Sequence, residues 1–203
     1  FPDSKFLILV RNHKDVVTRK KKRKLGLNQD ASYLAKVYHI NYLNAKHVLL
    51  LNNANIRLLK YEDLVTNPKN ELKQVCDFFG VIFHDSMIEH HTQFNAFIDK
   101  MSDKIEDKFL EHIKDFQSNT MKPVSTDLID EWKKVLSHSE AAVSEKINRD
   151  LDVFFKYDYT DQNYDYSFAD RVNIARAWFE KRVYHSFYIQ SPLWFKMFIK
   201  KLK

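Results

Sequence analysis

The residue with the clearest chemical potential is Arg11, which directly follows the apolar run Lys5–Val10. That run predicts a buried strand, and the polar residues Arg11–Asp15 break it before a helix that we expect to open near Val16. In open α/β sheets, ligands bind at the carboxyl ends of strands, and a helix N-terminus adds backbone donors and a favourable dipole. A guanidinium held at such a junction binds a phosphate bidentately. The alternative is that Arg11 pairs with Asp15 or another nearby carboxylate.

The other reactive side chains point to structure rather than to a catalytic or metal site. Cys76 is the single cysteine. It therefore cannot form an intrachain disulfide or a zinc site of the CxxC type, and its place on an apolar helical stripe favours a buried thiol. The pair His90-His91 lacks the i, i+4 spacing and third ligand of a helical metal site. There is no GxSxG motif and so no case for a hydrolase. We expect no metal in this chain.

Composition limits the kinds of phosphate site that the chain can build. Its 203 residues contain two glycines, Gly26 and Gly80, where average usage of about 7% would give roughly fourteen. A glycine-rich phosphate cradle within the chain is therefore excluded, and arginines, hydroxyls and helix ends must replace it. Hydrophobic residues make up 44% of the chain, enough for a core, and no apolar run reaches the roughly 18 residues of a membrane span.

The pattern along the chain predicts an α/β fold with a small parallel sheet and a helical cover that dominates the second half. Asn67-Pro68 should start a helix and Gly80 end it, with Leu72, Val75, Cys76 and Phe79 as its buried face. Ser137–Glu140 is a capping box. The capping box opens a helix whose apolar stripe is Val143, Ile147, Leu151 and Phe154. The remaining predicted elements are a helix over Ser32–Asn53, a strand over Ile56–Tyr61, and helices over Asp103–Phe116, Asp127–Leu136, Phe168–Phe187 and Leu193–Leu202.

Four segments, in order, resemble the sulfotransferases that use 3′-phosphoadenosine 5′-phosphosulfate (PAPS). The first is KFLILVRNHKDVVTR, in which a strand ends in arginine and an R-[ND]-x-[KR]-D-V pattern opens a helix. The second, KYEDLVTNPKNELKQVCDFFGV, is similar to the family's Y-E-D-L-x-x-x-P segment. The third, VIFHDSMIEH, continues that match. The fourth, LIDEWKKVLSHSE, resembles the family's later tryptophan segment. Within these segments we expect Glu62 and Asp63 to cap or pair, and Trp132 to be a packing anchor.

The resemblance implies a fold, a cofactor and a reaction. The fold is an incomplete P-loop-like parallel sheet with helical cover, the C-terminal part of a sulfotransferase domain over residues 1–160. The cofactor is PAPS, from which a sulfuryl group passes to a hydroxyl or amine of a small-molecule or glycan acceptor. The chain would supply the 3′-phosphate side of the site. The phosphosulfate loop P-K-x-G-T-[ST] and the catalytic base are expected upstream of Phe1, so no catalytic residue is assigned within the chain.

The cofactor-binding candidates implied by the resemblance are Arg11, Thr18 and Arg19. The family usually places a serine eight residues after the strand-end arginine, to bind the same phosphate. Here that position is Arg19, and Thr18 lies one place earlier, which on a helix is a rotation of about 100°. The family's R-K-G arm is replaced by Ser125-Thr126-Asp127. Both departures from the family pattern lie on the nucleotide side of the predicted site.

Residues 161–203 form a predicted basic, aromatic helical tail beyond the resemblance. Residues 168–203 carry the whole net charge of +6, which suits a protein partner or a membrane surface. The alternative is that Phe168, Val172, Ala175, Phe179 and Val183 pack on their own domain. A rival function follows, in which the protein is a catalytically inactive structural subunit of a larger assembly, docked through this tail.

The basic run Arg19–Lys24 is best interpreted as a solvated loop or helix end, with a nuclear signal or a polyanion patch as the alternative. Nucleic-acid binding is the least favoured function, because no nucleic-acid motif accompanies these charges. The sequence leaves the compartment open, and an intracellular or membrane-associated location is compatible with it.

Overall fold

The computed structural model describes residues 4–23, 30–101, 106–158 and 164–183. Within them the chain is a helix-rich α/β protein with a small two-stranded parallel sheet. The elements in chain order are β1 Phe6–Val10, α1 His13–Lys22, α2 Ala31–Leu50, β2 Ile56–Lys60, α3 Tyr61–Thr66, α4 Pro68–Phe79, a 3-10 turn Asp85–Met87, α5 His90–Met101, α6 Asp107–Phe116, α7 Trp132–Val135, α8 His138–Phe155 and α9 Phe168–Val183. The predicted strands and most of the predicted helices are confirmed.

Two compact units divide the chain, and each is discontinuous in sequence. The first comprises residues 1–10 and 54–129, and the second comprises residues 11–53 and 130–203. The boundary between β1 and the helix that follows it is therefore also a boundary between units. Arg11, Thr18 and Arg19 all belong to the second unit.

The first unit is organised by the sheet and by α4. The strands run parallel in register from Phe6 opposite Ile56 to Val10 opposite Lys60, so their carboxyl ends lie at the same edge. Pro68 occupies the first turn of α4, and Gly80 ends it at φ 75°, a left-handed conformation that glycine adopts without a Cβ penalty.

Two details of α4 differ from the prediction. Asn67 makes no side-chain capping hydrogen bond, because its backbone lies outside the extended conformation of a normal N-cap. Phe79 is 39% exposed, whereas Cys76 is buried as predicted. The buried stripe of α4 is therefore narrower than its apolar periodicity suggests.

The second unit contains the main core, built from α1, α2, α8 and α9. Its buried residues are Val17, Ala31, Leu34, Ala35, Leu136, Ala141, Val143, Ile147 and Ala177, with Trp132, Tyr166 and Ile174 packed against them. The predicted capping box is present at the start of α8, where Ser137 and Glu140 exchange side-chain to backbone hydrogen bonds. Phe155, at 1% exposure, is more deeply buried than the predicted Phe154.

Three predicted boundaries were wrong. The helix expected from Val16 begins at His13, because Asn12 caps it by accepting a hydrogen bond from the Lys14 backbone N–H. The helix expected over Asp127–Leu136 is confined to Trp132–Val135, and turns precede it. Asp103, the expected start of the next helix, lies outside the described residues, but Glu106 is the N-cap of α6 and is not helical, so the described helix begins at Asp107. The predicted helix Leu193–Leu202 and the end of Phe168–Phe187 lie outside the described residues.

None of the described helices is both long and apolar enough to cross a membrane. In α9, the apolar stripe was expected either to dock on a partner or a membrane or to pack on its own domain, and its described residues do not pack. Ala177 is buried in the core, whereas Phe168 and Phe179 are 84% and 70% exposed. The predicted stripe therefore lies on the outer side of α9.

Candidate nucleotide-binding site

Arg11 lies between the end of β1 and the N-terminus of α1, as the sequence predicts. Val10 is the last residue of β1, Asn12 caps α1, and Arg11 is 9% exposed. The Tyr38 hydroxyl of α2 donates a hydrogen bond of 2.8 Å to the Arg11 carbonyl oxygen. The main chain of Arg11 is therefore fixed by a buried contact, which limits the positions that its guanidinium can reach.

The Asp15 carboxyl feels the charge of Arg11, but its hydrogen bonds are to the backbone at the start of α7. Burial raises the pKa of the Asp15 carboxyl, while hydrogen bonds from the Trp132 and Asp130 backbones and the nearby Arg11 charge oppose that rise. Its two oxygens accept hydrogen bonds from the backbone N–H groups of Asp130 at 3.0 Å and Trp132 at 3.1 Å. Asp15 thus holds the start of α7 against α1. The charge of Arg11 favours the ionised form of the Asp15 carboxyl.

Thr18 and Arg19 differ in accessibility. Thr18 is fully buried, and its Oγ1 has no hydrogen-bond partner in the described part of the chain. Arg19 is half-buried on the last turn of α1. An unsatisfied hydroxyl suits a phosphate oxygen as its partner, but it is enclosed here, so a phosphate would reach it only after neighbouring side chains move. Arg19 is the more accessible of the two predicted contacts.

His13 takes part in a buried chain of hydrogen bonds that sequence reasoning missed. Its Nδ1 lies 2.8 Å from Ser144 Oγ and its Nε2 lies 3.0 Å from Asp152 Oδ2, both on α8. The three residue types are those of a serine hydrolase triad. Ser144 and His13 are 0% and 1% exposed, so no substrate can reach the serine. The arrangement therefore locks α1 to α8 instead of forming a nucleophilic site.

Lys14 makes a second buried link to α8. Its Nζ lies 3.3 Å from Glu145 Oε1, and both side chains are almost fully buried. The same ammonium lies 4.2 Å from the centre of the Trp132 ring, a favourable cation–π distance. Trp132 also donates from Nε1 to Asp130, so the structure confirms it as a packing anchor. Three consecutive residues therefore fasten α1 to its neighbours. His13 and Lys14 contact α8, and Asp15 contacts the start of α7.

Two lysines of the basic run pair with acidic residues. Lys21 pairs with Glu140, and Lys22 Nζ lies 2.6 Å from Glu131 Oε1. Arg23 ends α1, as the helix-end interpretation predicts. Burial lowers the pKa of Lys20. These contacts lower the positive charge available to a nucleic acid or another polyanion.

The first unit adds no second candidate for the site. Arg57 on β2 donates to the carbonyl and side chain of Gln74 on α4, which is a structural use of its guanidinium. Cys76 Sγ lies 3.8 Å from Met87 Sδ, as suits a buried structural thiol. Among the described residues, no group of three or more His, Cys, Asp or Glu side chains is arranged to hold a metal ion.

Comparison with known families agrees with the resemblance in the sequence. Residues 1–85 match the model described as the sulfotransferase family. The match contains Arg11, Thr18 and Arg19, both strands, and α1 to α4. A search of curated proteins found no match to the chain.

Proposed function

We propose, on the match of residues 1–85 to the sulfotransferase family model, that the protein is a sulfotransferase that transfers a sulfuryl group from PAPS to a hydroxyl or amine acceptor. This chain supplies the 3′-phosphate side of the site. The acceptor is a small molecule or a glycan. In this proposal the two parallel strands are part of a larger P-loop-like sheet.

The observation that carries the proposal is the position of Arg11. It follows a parallel strand directly and stands one residue before the N-cap of α1. A phosphate at this point would meet a guanidinium and the positive end of the helix dipole together. Arg19 adds a second cation on the same helix. The Thr18 hydroxyl, which has no hydrogen-bond partner among the described residues, becomes a further donor when the side chains that enclose it move.

Buried contacts of Arg11 and of the first turn of α1 support this assignment. A bidentate arginine contact is effective only where the guanidinium is held in place. Tyr38 fixes the Arg11 carbonyl, and His13 and Lys14 fix the first turn of α1 on α8. The main chain that carries Arg11 is therefore held from two helices.

PAPS supplies the group that is transferred, and the residues of this chain bind and orient its nucleotide. Sulfuryl transfer resembles phosphoryl transfer in needing cations beside the oxygens that gain charge and a base for the acceptor proton. The resemblance places those groups on segments preceding the first block, so Arg11, Thr18 and Arg19 are proposed as binding residues and not as catalytic residues.

Calorimetric titration of the intact protein with 3′-phosphoadenosine 5′-phosphate, the desulfated product, tests the proposal. We expect saturable binding that Arg11→Ala weakens by at least about tenfold, corresponding to about 1.4 kcal/mol. Arg11→Lys keeps the charge but loses the bidentate geometry of the guanidinium, so its affinity should lie between those of wild type and Arg11→Ala. Arg171→Ala is the matched control, because Arg171 is an exposed arginine paired with Asp165. No binding, or equal binding by wild type and a folded Arg11→Ala variant, contradicts the proposal.

A second candidate function rests on α9. Phe168, Val172, Ala175 and Phe179 are exposed on the side opposite the buried Ala177, and residues 168–203 carry a net charge of +6. An apolar stripe beside basic residues suits docking on a protein partner or an anionic membrane surface. The protein would then be an inactive sulfotransferase-fold subunit of a larger assembly.

The two functions are separable by experiment. If α9 docks on a membrane, the intact protein should float with vesicles that contain phosphatidylserine, and Phe168→Ser with Phe179→Ser should abolish flotation. If it docks on protein, the same pair should abolish co-purification of a partner from the native source. An intact P-K-x-G-T-[ST] loop in the sequence before residue 1, together with turnover of PAPS, would contradict the inactive assignment.

A further inference from the structure

Tyr38 connects α2 to the residues on both sides of the N-cap of α1. Its hydroxyl donates a hydrogen bond of 2.8 Å to the Arg11 carbonyl oxygen, and its ring makes an edge-to-face contact with the His13 ring, with centroids 5.9 Å apart. The N-cap, Asn12, lies between these two contacts in the chain. All of these residues belong to the second unit. One side chain of α2 therefore holds the turn that leads from Arg11 into α1.

The Tyr38 ring is itself held in place, so its hydroxyl has a preset position. Tyr38 is 2% exposed and stacks on Tyr42, with ring centroids 4.2 Å apart and planes inclined by 22°. The Tyr42 ring in turn makes a T-shaped contact with Phe155, which is 1% exposed and lies on α8. Offset-stacked and T-shaped aromatic pairs are both favourable. The three rings thus form a column from α2 to α8 that leaves the hydroxyl little freedom to follow a moving carbonyl.

The hydrogen bond from Tyr38 restrains the backbone torsion angles that aim the Arg11 side chain. The Arg11 carbonyl belongs to the planar peptide unit that joins Arg11 to Asn12. Rotation of that unit changes ψ of Arg11 and φ of Asn12, so a held carbonyl fixes both angles. Asn12 has φ −50° and ψ 126°, and in this conformation its side chain accepts a hydrogen bond from the Lys14 backbone N–H. The same angles set the direction of the Arg11 side chain relative to the first turn of α1.

We propose that Tyr38 is a positioning residue that determines the selectivity of the nucleotide site for a 3′-phosphate. This inference rests on the proposed function, in which Arg11 binds that phosphate. A bidentate contact between a guanidinium and a phosphate needs a defined orientation, and a helix N-terminus favours an anion near its first turn. Tyr38 keeps the guanidinium and the first turn of α1 in one fixed relation, so that a single phosphate meets both. It acts through the main chain and not by touching the nucleotide.

A comparison of two nucleotides measures this selectivity. 3′-Phosphoadenosine 5′-phosphate carries the 3′-phosphate, and adenosine 5′-phosphate lacks it. Calorimetric titration of the intact protein with each nucleotide gives an affinity ratio that reports the contribution of the 3′-phosphate. We expect Tyr38→Phe, which keeps the ring and removes the hydroxyl, to lower this ratio at least about threefold, the size of one neutral hydrogen bond. The affinity for adenosine 5′-phosphate should stay unchanged.

Tyr166→Phe is the matched control for a purely structural effect. The Tyr166 hydroxyl also donates to a main-chain carbonyl within the second unit, that of Ala142 on α8, at 3.3 Å. Both substitutions remove a tyrosine-to-carbonyl hydrogen bond, so urea denaturation should show a similar loss of stability in both variants. Only Tyr38→Phe should change the affinity ratio. An equal fall of the ratio in the two variants would reflect lost stability alone and overturns the positioning role.

Arg11→Ala separates this inference from the proposed function. Alone it should lower the affinity ratio, and adding Tyr38→Phe should lower the ratio no further, because the tyrosine acts through the arginine. If wild type does not prefer the nucleotide with the 3′-phosphate, or if Arg11→Ala leaves the ratio unchanged, the proposed function and this inference are both overturned. If Arg11→Ala lowers the ratio but Tyr38→Phe does not, or if the two losses add in the double variant, only the positioning role is overturned.

Discussion

His13 Nε2 lies 3.0 Å from Asp152 Oδ2, although the two buried residues are 139 positions apart in the sequence. The other ring nitrogen lies 2.8 Å from Ser144 Oγ. A neutral imidazole satisfies both contacts when its Nε2–H donates to the carboxylate and its Nδ1 accepts from the serine hydroxyl. The Asp152 contact joins the first turn of α1 to the last turn of α8, so it fixes the helix that follows Arg11.

Removing the carboxylate from this chain should destabilise the protein. Asp152→Ala loses a buried hydrogen bond to a charged group, and we expect the free energy of unfolding to fall by about 1.5–3 kcal/mol. Ser144→Ala loses a neutral hydrogen bond, with an expected fall of about 0.5–1.5 kcal/mol. Urea denaturation followed by circular dichroism measures both values. The product nucleotide should still bind to the folded fraction of Ser144→Ala, because the serine is structural.

Asp150→Ala is the matched control for that prediction. Asp150 lies two residues before Asp152 on the same helix, but its side chain is 43% exposed and its contacts to His39 and Lys46 are 3.5 and 3.6 Å long. Such contacts contribute at most about 1 kcal/mol. If Asp150→Ala were as damaging as Asp152→Ala, the buried chain would not be the element that holds α1 on α8.

The Lys14–Glu145 pair should show the energetics of a buried ion pair. Glu145→Gln leaves a lysine ammonium buried without its counter-charge, so we expect a loss of about 3–5 kcal/mol in unfolding free energy. Lys14→Met combined with Glu145→Leu removes both charges and should recover most of that loss. Denaturation of wild type, both single variants and the double variant measures the coupling.

The exposed pair Lys69–Asp85 provides the contrast. Its partners are 2.7 Å apart, closer than Lys14 and Glu145, but their side chains are 55% and 74% exposed. We expect Lys69→Met to leave the unfolding midpoint unchanged, because water already solvates both charges. A double-mutant coupling for Lys14–Glu145 no larger than that for Lys69–Asp85 would contradict the dominance of burial.

Sequence patterns predicted the elements well wherever local physics decides them. The capping box at Ser137, the left-handed stop at Gly80 and the two apolar strands depend on a few neighbouring residues. The position of Arg11 follows from the same kind of information, since a strand must end where polar residues begin. These features required no knowledge of distant contacts.

The polar contacts of α1 could not be predicted in this way. His13, Lys14 and Asp15 were interpreted as a polar break, yet all three are 1% exposed because their partners lie on α7, α8 and the turn before α7. One signal was available, because Ser144, Glu145 and Asp152 lie inside the buried stripe of α8. Buried polar residues on one helix require buried partners on another.

The orientation of α9 is a second feature that sequence patterns could not decide. Phe168, Val172 and Phe179 recur at helical spacing, which is compatible with packing on their own domain or with docking on a partner or a membrane. The core instead receives Ala177 and Ile174, because small residues let two helices approach closely. Apolar periodicity identified the helix, but it could not decide whether the stripe packs on its own domain or faces outward.

Thr18 should be a position where losing a hydroxyl stabilises the free protein. Its Oγ1 is buried and has no hydrogen-bond partner among the residues that the structure describes, so Thr18→Val replaces an unsatisfied group by a methyl of similar shape. We expect the unfolding free energy to rise by up to about 1–2 kcal/mol. Thr18→Ser keeps the hydroxyl and loses the methyl, so it should destabilise. A stability order of Ser above Val would show that the hydroxyl has a partner.

Asp15 should impose a pH dependence on stability with the opposite sign to that of an ordinary salt-bridged carboxylate. Its pKa is raised in the folded protein, mainly by burial, so the native state holds this proton more tightly than the unfolded state does. Its contribution is most favourable below the unfolded pKa and is lost as the pH rises through the folded pKa. The carboxyls of Asp130, Glu140 and Asp170 act oppositely, because hydrogen bonds lower their pKa values. We therefore expect the stability of Asp15→Asn to increase more steeply with pH than that of wild type between pH 3 and 7, measured by urea denaturation. Parallel curves would mean that Asp15 titrates alike in both states.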